Sequence, residues 1–353
     1  STYLLNKYSS NEDPLSPNNP LVFCSSPLTG TKLTTTSKYS IATKSPLTNF
    51  IGDSMSSSYF ADKLKKTGFD ALVIRGKSNK YKLIKITNSK VEFLDATNIW
   101  GKTTSETESL LSTNLGSDFS FASIGPAGEN LVRFAGIKND GGRMAARTGV
   151  GAVMGSKNLK AIAVNGNQQI KIYNAQKINE IRKELSIKSL GDSTEKYRTT
   201  GTTINMSLLN RLEMLPTKNF SESTFKESTK IEGENLIKNH FSKKAHCANC
   251  TIGCEKIFVT NDSNDPITSR LEFQTTASLG SNLGINDPNW IIRASSLCDD
   301  LGMDTISTGV TISWAIEASN NGHLKEPIDI STEQKLLELI KNIAYRNSIG
   351  NLL

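Results

Sequence analysis

Apolar and polar positions change their rhythm about halfway along the chain. In the first half the apolar residues come in short blocks or alternate with polar ones. The runs at residues 22–23, 71–74 (A-L-V-I), 81–86 (Y-K-L-I-K-I), 91–94, 120–124 and 161–164 are separated by Gly, Asn, Ser and Pro. Short runs with such punctuation predict strands. Helices are expected between them near residues 60–67 and 105–112, the second opened by the capping-box pattern S-E-T-E that begins at Ser105.

From about Ala175 the period lengthens. Ile178, Ile181, Leu185 and Ile187 recur at helical spacing. Asp287–Pro288 supplies a capping acid and a proline at the first helical position, and Gly302 is a natural stop. A further helix should follow Asp304 and end near Asn320–Asn321–Gly322. Ser331 and Gln334 form a capping-box pattern ahead of Leu336, Leu337, Leu339 and Ile340. The expectation is an α+β chain, with a β-rich domain over residues 1–169 and a helical region over 170–353. The pattern contains no internal repeat.

Length changes this picture little, since 353 residues exceed one ordinary core and suggest two or three domains. Hydrophobic content of 37% and charged content of 21% describe a globular protein. No apolar run reaches the length of a membrane span, and the first ten residues lack the basic start and apolar centre of a signal peptide. The net charge is +7, yet 41 basic residues are interspersed with 34 acidic ones, which reads as a solvated surface. The surplus favours anionic partners such as an acidic electron carrier over nucleic acid, because the sparse aromatics are not interleaved with the basic residues. Five cysteines, three of them clustered, do not make a disulfide framework and point to a reducing cytoplasm. The chain starts without Met and stops at I-G-N-L-L within a helical pattern, so it reads as the central part of a longer polypeptide.

The strongest chemical signal is C-A-N-C-T-I-G-C, with Cys247, Cys250 and Cys254 inside eight residues. Thiolates crowded this way call for a soft metal, and a single loop with a distant fourth ligand is the habit of iron–sulfur clusters. A Cys3His zinc site using His246 or His240 is the rival reading. Cys24 and Cys298 lie in apolar surroundings and read as buried small hydrophobes, with Cys298 a lesser candidate for the fourth thiolate.

Two further stretches draw attention. The run from Asn139, N-D-G-G-R-M-A-A-R-T-G-V-G-A-V-M-G-S-K, joins glycines to Arg143 and Arg147. Glycines admit close approach to phosphate oxygens and arginines can grip them; equally, the glycines can serve loop and helix packing alone. Their spacing does not match a dinucleotide fingerprint. D-L-G-M-D, which Asp299 precedes and Asp304 closes, could hold a polar heterocycle or simply end a helix. His323 reads as a surface residue.

Taken in order, these motifs resemble one family, the tungsten-containing aldehyde ferredoxin oxidoreductases. The resemblance runs almost end to end, through D-P-L-S-P-N-N-P-L, S-P-L-T-G-T, K-T-G-F-D-A-L-V-I-R-G-K, A-S-I-G-P-A-G-E-N-L-V, R-T-G-V-G-A-V-M-G-S-K-N-L-K-A-I-A-V, the three cysteines, L-G-S-N-L-G-I-N-D and D-L-G-M-D-T-I-S-T-G-V-T. It implies a β-rich base under helical domains and a tungsten (or molybdenum) bis-pterin with a [4Fe-4S] cluster close by. It also implies Mg2+ bridging the pterin phosphates. The reaction implied is oxidation of an aldehyde with water to a carboxylic acid, with electrons passing to ferredoxin. Cys247, Cys250 and Cys254 become cluster ligands, with the fourth expected beyond Leu353. Arg143, Met144, Ala145 and Arg147 become pterin contacts, as do Asp299, Gly302, Met303 and Asp304.

The departures from the family pattern are specific. Lys38 stands where an arginine typically links pterin and cluster, and lysine lacks the planar fork. S-G-G-Y-F-G becomes S-S-S-Y-F-A, which places Ser57 at a position of backbone–pterin contact. P-E-Y-E becomes L-E-F-Q, so Gln274 takes the place of a glutamate near the metal and cannot accept a proton at neutral pH. Read as a strand, this segment would send Glu272 to the opposite face. The Glu-x-x-His that binds a metal between subunits in some members is Arg293–Ala294–Ser295–Ser296, which implies that this bridging metal is absent and that any homodimer forms without it. Two other readings stay open: a relative that reduces an activated ring or carboxylic acid in a larger complex, and a degenerate electron-relay subunit.

Overall fold

The apolar blocks of the first half become strands because each is long enough to cross a small core and short enough to stop at a turn residue. The computed structural model describes residues 1–9, 12–324 and 326–353. It confirms the α+β class. A first sheet has the order β3-β2-β1-β4, made of β1 (Leu21–Ser25), β2 (Lys38–Lys44), β3 (Ile51–Ser57) and β4 (Ala71–Ile74), with every pair antiparallel. A second has β5 (Lys82–Thr87), β6 (Lys90–Asp95), β7 (Ser120–Ser123), β8 (Ile137–Asn139), β9 (Arg143–Ala145) and β10 (Leu159–Asn165) in the order β6-β5-β10-β7-β8-β9. Only its β5–β10 pair is parallel.

These ten strands belong to one compact unit, formed by Ser1–Leu190, Cys247–Thr251 and Asp300–Asp304. One apolar cluster joins the two sheets within it. Phe23 of β1, Tyr39 of β2 and Phe60 of the helix Tyr59–Lys66 lie ring against ring, with centroids 5.0–6.4 Å apart. Ile84, Ile124, Ile137, Val153 and Ile162 continue the same core. In the helix Val150–Ser156 every residue is buried. Its glycines serve packing: a Cβ on Gly155 would lie 2.0 Å from the Gly128 carbonyl oxygen, and one on Gly151 2.4 Å from that of Gly136.

The second unit, Gly191–His246, Ile252–Asp299 and Thr305–Leu353, is mainly helical. It also contains a three-stranded antiparallel sheet of β11 (Phe241–Ala245), β12 (Glu255–Val259) and β13 (Thr268–Arg270). The helix Phe273–Leu279 packs so closely on Thr305–Asn320 that a Cβ on Gly309 would sit 2.3 Å from the Ser278 carbonyl oxygen. Ile291, Ile292, Ile312, Leu336 and Ile340 are buried in this unit. Among the described residues no helix is long and apolar enough to cross a membrane.

Several expectations need correction. The capping box belongs to Thr103 and Glu106, two residues before the S-E-T-E pattern, because Thr103 rather than Ser105 lies at the helix boundary. The later helix is capped by Thr332, whose hydroxyl accepts from the Lys335 N–H, and Ser331 lies outside it. The helix Ala175–Lys188 forms where its periodicity predicts but buries none of its residues, and Ile187 is 74% exposed. Gln274 is in the first turn of a helix, not a strand, with Glu272 as that helix's N-cap residue.

Candidate active site

Three consecutive serines at the end of β3 collect the predicted motifs of the first unit. β3 is an inverted strand: its small polar residues Gly52, Ser54 and Ser56 are buried, while Ile51 and Met55 are exposed. The small side chains let other loops approach. From one side comes the β8–β9 hairpin, whose turn Asp140–Gly141–Gly142 has positive φ throughout. Asn139, at the end of β8, is 1% exposed and reads three groups at once. Its Oδ1 accepts from the Tyr39 hydroxyl (2.9 Å) and the Ser56 hydroxyl (2.8 Å), and its Nδ2 donates to the Ser58 hydroxyl.

Asp140 continues the network by accepting from the Phe60 N–H at 2.6 Å. Burial pushes its carboxyl above the usual aspartate range, against the opposing pull of bonds from Ser58 and the Phe60 N–H. Burial, then the neighbouring Asp140, also drive the Tyr39 phenol far above its ordinary value, so it remains a donor to Asn139. The Gly141 N–H donates to Glu108 at 3.0 Å. Lys38 pairs in register with Ser57 across β2 and β3, and both stand at the sheet end toward which the cysteine loop reaches.

From the cysteine loop, Cys247 places its Sγ 3.1 Å from the Ser57 hydroxyl. Thr251 of the same loop is fixed by Thr34, with the hydroxyls 2.7 Å apart and the Thr251 N–H on Thr34 Oγ1 at 3.1 Å. The Cys250 N–H closes a turn onto the Cys247 carbonyl at 3.0 Å. Cys247, Cys250 and Cys254 are all half-buried. Cys254 falls in the second unit, where Lys256 Nζ donates to the carbonyls of Tyr197, Gly253 and Cys254 at 3.1–3.3 Å and ties down the loop's far end.

Among the described residues no three His, Cys, Asp or Glu side chains form a ready-made metal site. Three half-buried thiols on one loop are the donor type that iron–sulfur clusters use. Of the rival ligands, His240 is buried with Nδ1 3.1 Å from the Val259 carbonyl oxygen, and His246 is exposed. Cys298 is fully buried in its helix, and Cys24 is half-buried in β1.

The D-L-G-M-D segment is held as an extra edge of the first unit. Met303 bridges Ala135, the Gly136 N–H donates to the Gly302 carbonyl at 2.8 Å, and the Asp304 N–H donates to the Phe134 carbonyl at 3.1 Å. Gly302 has φ +75°, and any Cβ there would press on the Gly125 backbone. Asp304, 2% exposed, accepts from Arg147 Nη1 at 3.0 Å. That bond joins two predicted motifs 157 positions apart and uses one of the five donors of a half-exposed guanidinium. Arg143 and Met144 are half-buried on β9, and Ala145 is buried.

Asp299 and Gln274 belong to the second unit, and Gln274 is exposed. Arg293 forks onto Asp262 and reaches Glu333 Oε1 at 3.0 Å, so the Arg-Ala-Ser-Ser stretch makes an ion-pair network. His323 is exposed beyond Gly322. The residues the sequence did not single out are Tyr39, Thr34 and Thr251. They are ordinary polar residues whose roles come only from strand register and loop approach.

Residues 1–166 match the N-terminal domain of aldehyde ferredoxin oxidoreductase, and residues 177–353 match domains 2 and 3 of the same family. The chain is 40% identical, over 99% of its length, to tungsten-containing aldehyde ferredoxin oxidoreductases of Pyrococcus furiosus and Thermococcus kodakarensis, and covers 59% of theirs. It is 30% identical to an aliphatic sulfonate oxidoreductase WOR-like subunit of Pyrococcus furiosus, over 97% of the chain and 58% of that protein. In fold it is similar to the active site complex BamBC of benzoyl coenzyme A reductase, with a TM-score of 0.83 at 24% identity over 99% of this chain and 56% of that one. The chain belongs to the aldehyde ferredoxin oxidoreductase family.

Proposed function

We propose that the chain is the pterin- and cluster-bearing part of an oxidoreductase that converts an aldehyde and water to a carboxylic acid, releasing two electrons and two protons. The observation that carries this reading is the meeting of the Asn139 hairpin and the Cys247 loop on one three-serine strand end. Cys247, Cys250 and Cys254 would hold a [4Fe-4S] cluster that hands electrons to ferredoxin. Lys38, Ser57, the Arg143–Arg147 stretch and Asp299 to Asp304 would line the pterins, with Mg2+ between their phosphates. A tungsten bis-pterin would supply Lewis acidity and two-electron storage.

The chain's own contributions are positional. Asp304 orients the Arg147 guanidinium toward an anionic ligand, and Asn139 with Tyr39 keeps the hairpin at a fixed height above β3. Gln274 can orient water but cannot take its proton. That amide favours a second reading, in which the protein reduces an activated ring or acid within a larger complex. The test is metal and activity analysis of the full-length protein made without oxygen. Tungsten, pterin, iron and acid-labile sulfide with aldehyde-dependent viologen reduction support the first reading. The cofactors without aldehyde turnover favour the second, and zinc without sulfide overturns both.

A further inference from the structure

Ser57 is unusual in its placement. It ends an edge strand, stands in register with Lys38, and brings a hydroxyl to 3.1 Å from Cys247 Sγ. As a thiol, Cys247 donates to that hydroxyl. As a thiolate it carries no proton, so the direction must reverse and the Ser57 O–H becomes the donor. The neighbouring hydroxyls are already committed: Ser56 donates to Asn139, and Ser58 accepts from Asn139 and from the Phe60 N–H. Thr251, the residue directly after the one that closes the thiol's turn, is held by Thr34, so the loop cannot easily swing Cys247 away from β3.

We infer that the Ser57 hydroxyl hydrogen-bonds the Cys247 thiolate and raises the reduction potential of the cluster it ligates. The inference rests on the cluster assignment made above. Reduction adds negative charge to a cluster and its sulfurs, and a donor aimed at a ligating sulfur stabilises the reduced form more than the oxidised one. Ser57 thus acts through Cys247 as a positioning and tuning residue. Its position on a short strand tied to β2 gives that hydroxyl a fixed approach, which a mobile loop donor would lack.

The experiment compares full-length wild type with Ser57→Ala and Ser57→Thr, all prepared without oxygen. Iron and sulfide content are measured first, followed by the cluster midpoint potential from dye-mediated titration read by EPR. The expected result is equal iron in the three proteins and a lower potential in Ser57→Ala. The shift should be about tenfold in the one-electron equilibrium constant, which is about 59 mV. Ser57→Thr, which keeps the hydroxyl, should stay near wild type. Full iron with an unchanged potential in Ser57→Ala overturns the inference alone. Iron lost only from Ser57→Ala would make the hydroxyl a holding group and overturn the tuning role. Wild type lacking iron and sulfide overturns the cluster assignment and this inference together.

Discussion

Asp140 brings a carboxyl into a nearly closed network, and its chemistry there depends on pH. Its folded-state value is raised by burial, so the protonated form is the one the fold prefers. The stability linked to it is therefore present in acid. It is lost as pH rises from the ordinary aspartate range through the raised value, because the folded state must then hold a desolvated charge. Asp140→Asn keeps an oxygen for the Phe60 N–H and removes the charge. Urea unfolding between pH 4 and 8 should show a flatter pH dependence in Asp140→Asn than in wild type; identical slopes would assign the dependence to other groups. Gln274 poses the opposite question. A positioned base typically contributes roughly 10²–10⁴ in rate, so Gln274→Glu in the full-length protein should raise aldehyde turnover and add a carboxylate-like limb to its pH profile. Its place in the first turn of a helix also suits a carboxylate. A fast wild type slowed by this change would rule out a glutamate-type base at this position and point to a specialised substrate.

At the scale of elements, legibility followed the direction in which apolar residues face. β1, β4, β5, β7 and β10 were readable because their apolar runs coincide with buried or half-buried faces; β6 was readable from alternation alone, since its Val91 and Phe93 are exposed. β3 was not, since its buried face is Gly52, Ser54 and Ser56 while its apolar residues look outward. The three-residue strands β8 and β9 are too short for periodicity to register and depend on the glycine turn between them. Helix starts were located to within one or two residues, which is where capping chemistry resists reading from sequence. A cap can be tested directly. Thr332→Ala should destabilise the second unit by about 1 kcal/mol through loss of the bond to the Lys335 N–H. Ser331→Ala, just outside the helix, should change its denaturation midpoint little. Equal effects would return the cap to Ser331.

Across the whole molecule, the motifs were legible where they are contiguous. The cysteine loop, the arginine hairpin and D-L-G-M-D each declare themselves in a few residues, whereas the bond between Arg147 and Asp304 spans 157 positions. Only the fold brings those two residues together. The first unit draws short pieces from residues 247–251 and 300–304 into a body otherwise complete by residue 190. A fragment of residues 1–190 should therefore lose protection at the Gly136 amide, whose partner is the Gly302 carbonyl. Hydrogen exchange read by mass spectrometry compares it with the whole chain, and equal protection would mean that Gly136 finds another acceptor. The same arrangement has a consequence in time. On a ribosome adding about 5–20 residues per second, the segment from residue 190 to residue 304 takes on the order of ten seconds to appear. Over that interval the Ala135–Gly136 edge lacks its Gly302 and Met303 partners, and for about the first half of it the cysteine loop is also missing from the serines. Under the proposed function, a cofactor arriving early would meet a half-built seat, so loading should follow synthesis of the later segments rather than the folding of the first strands.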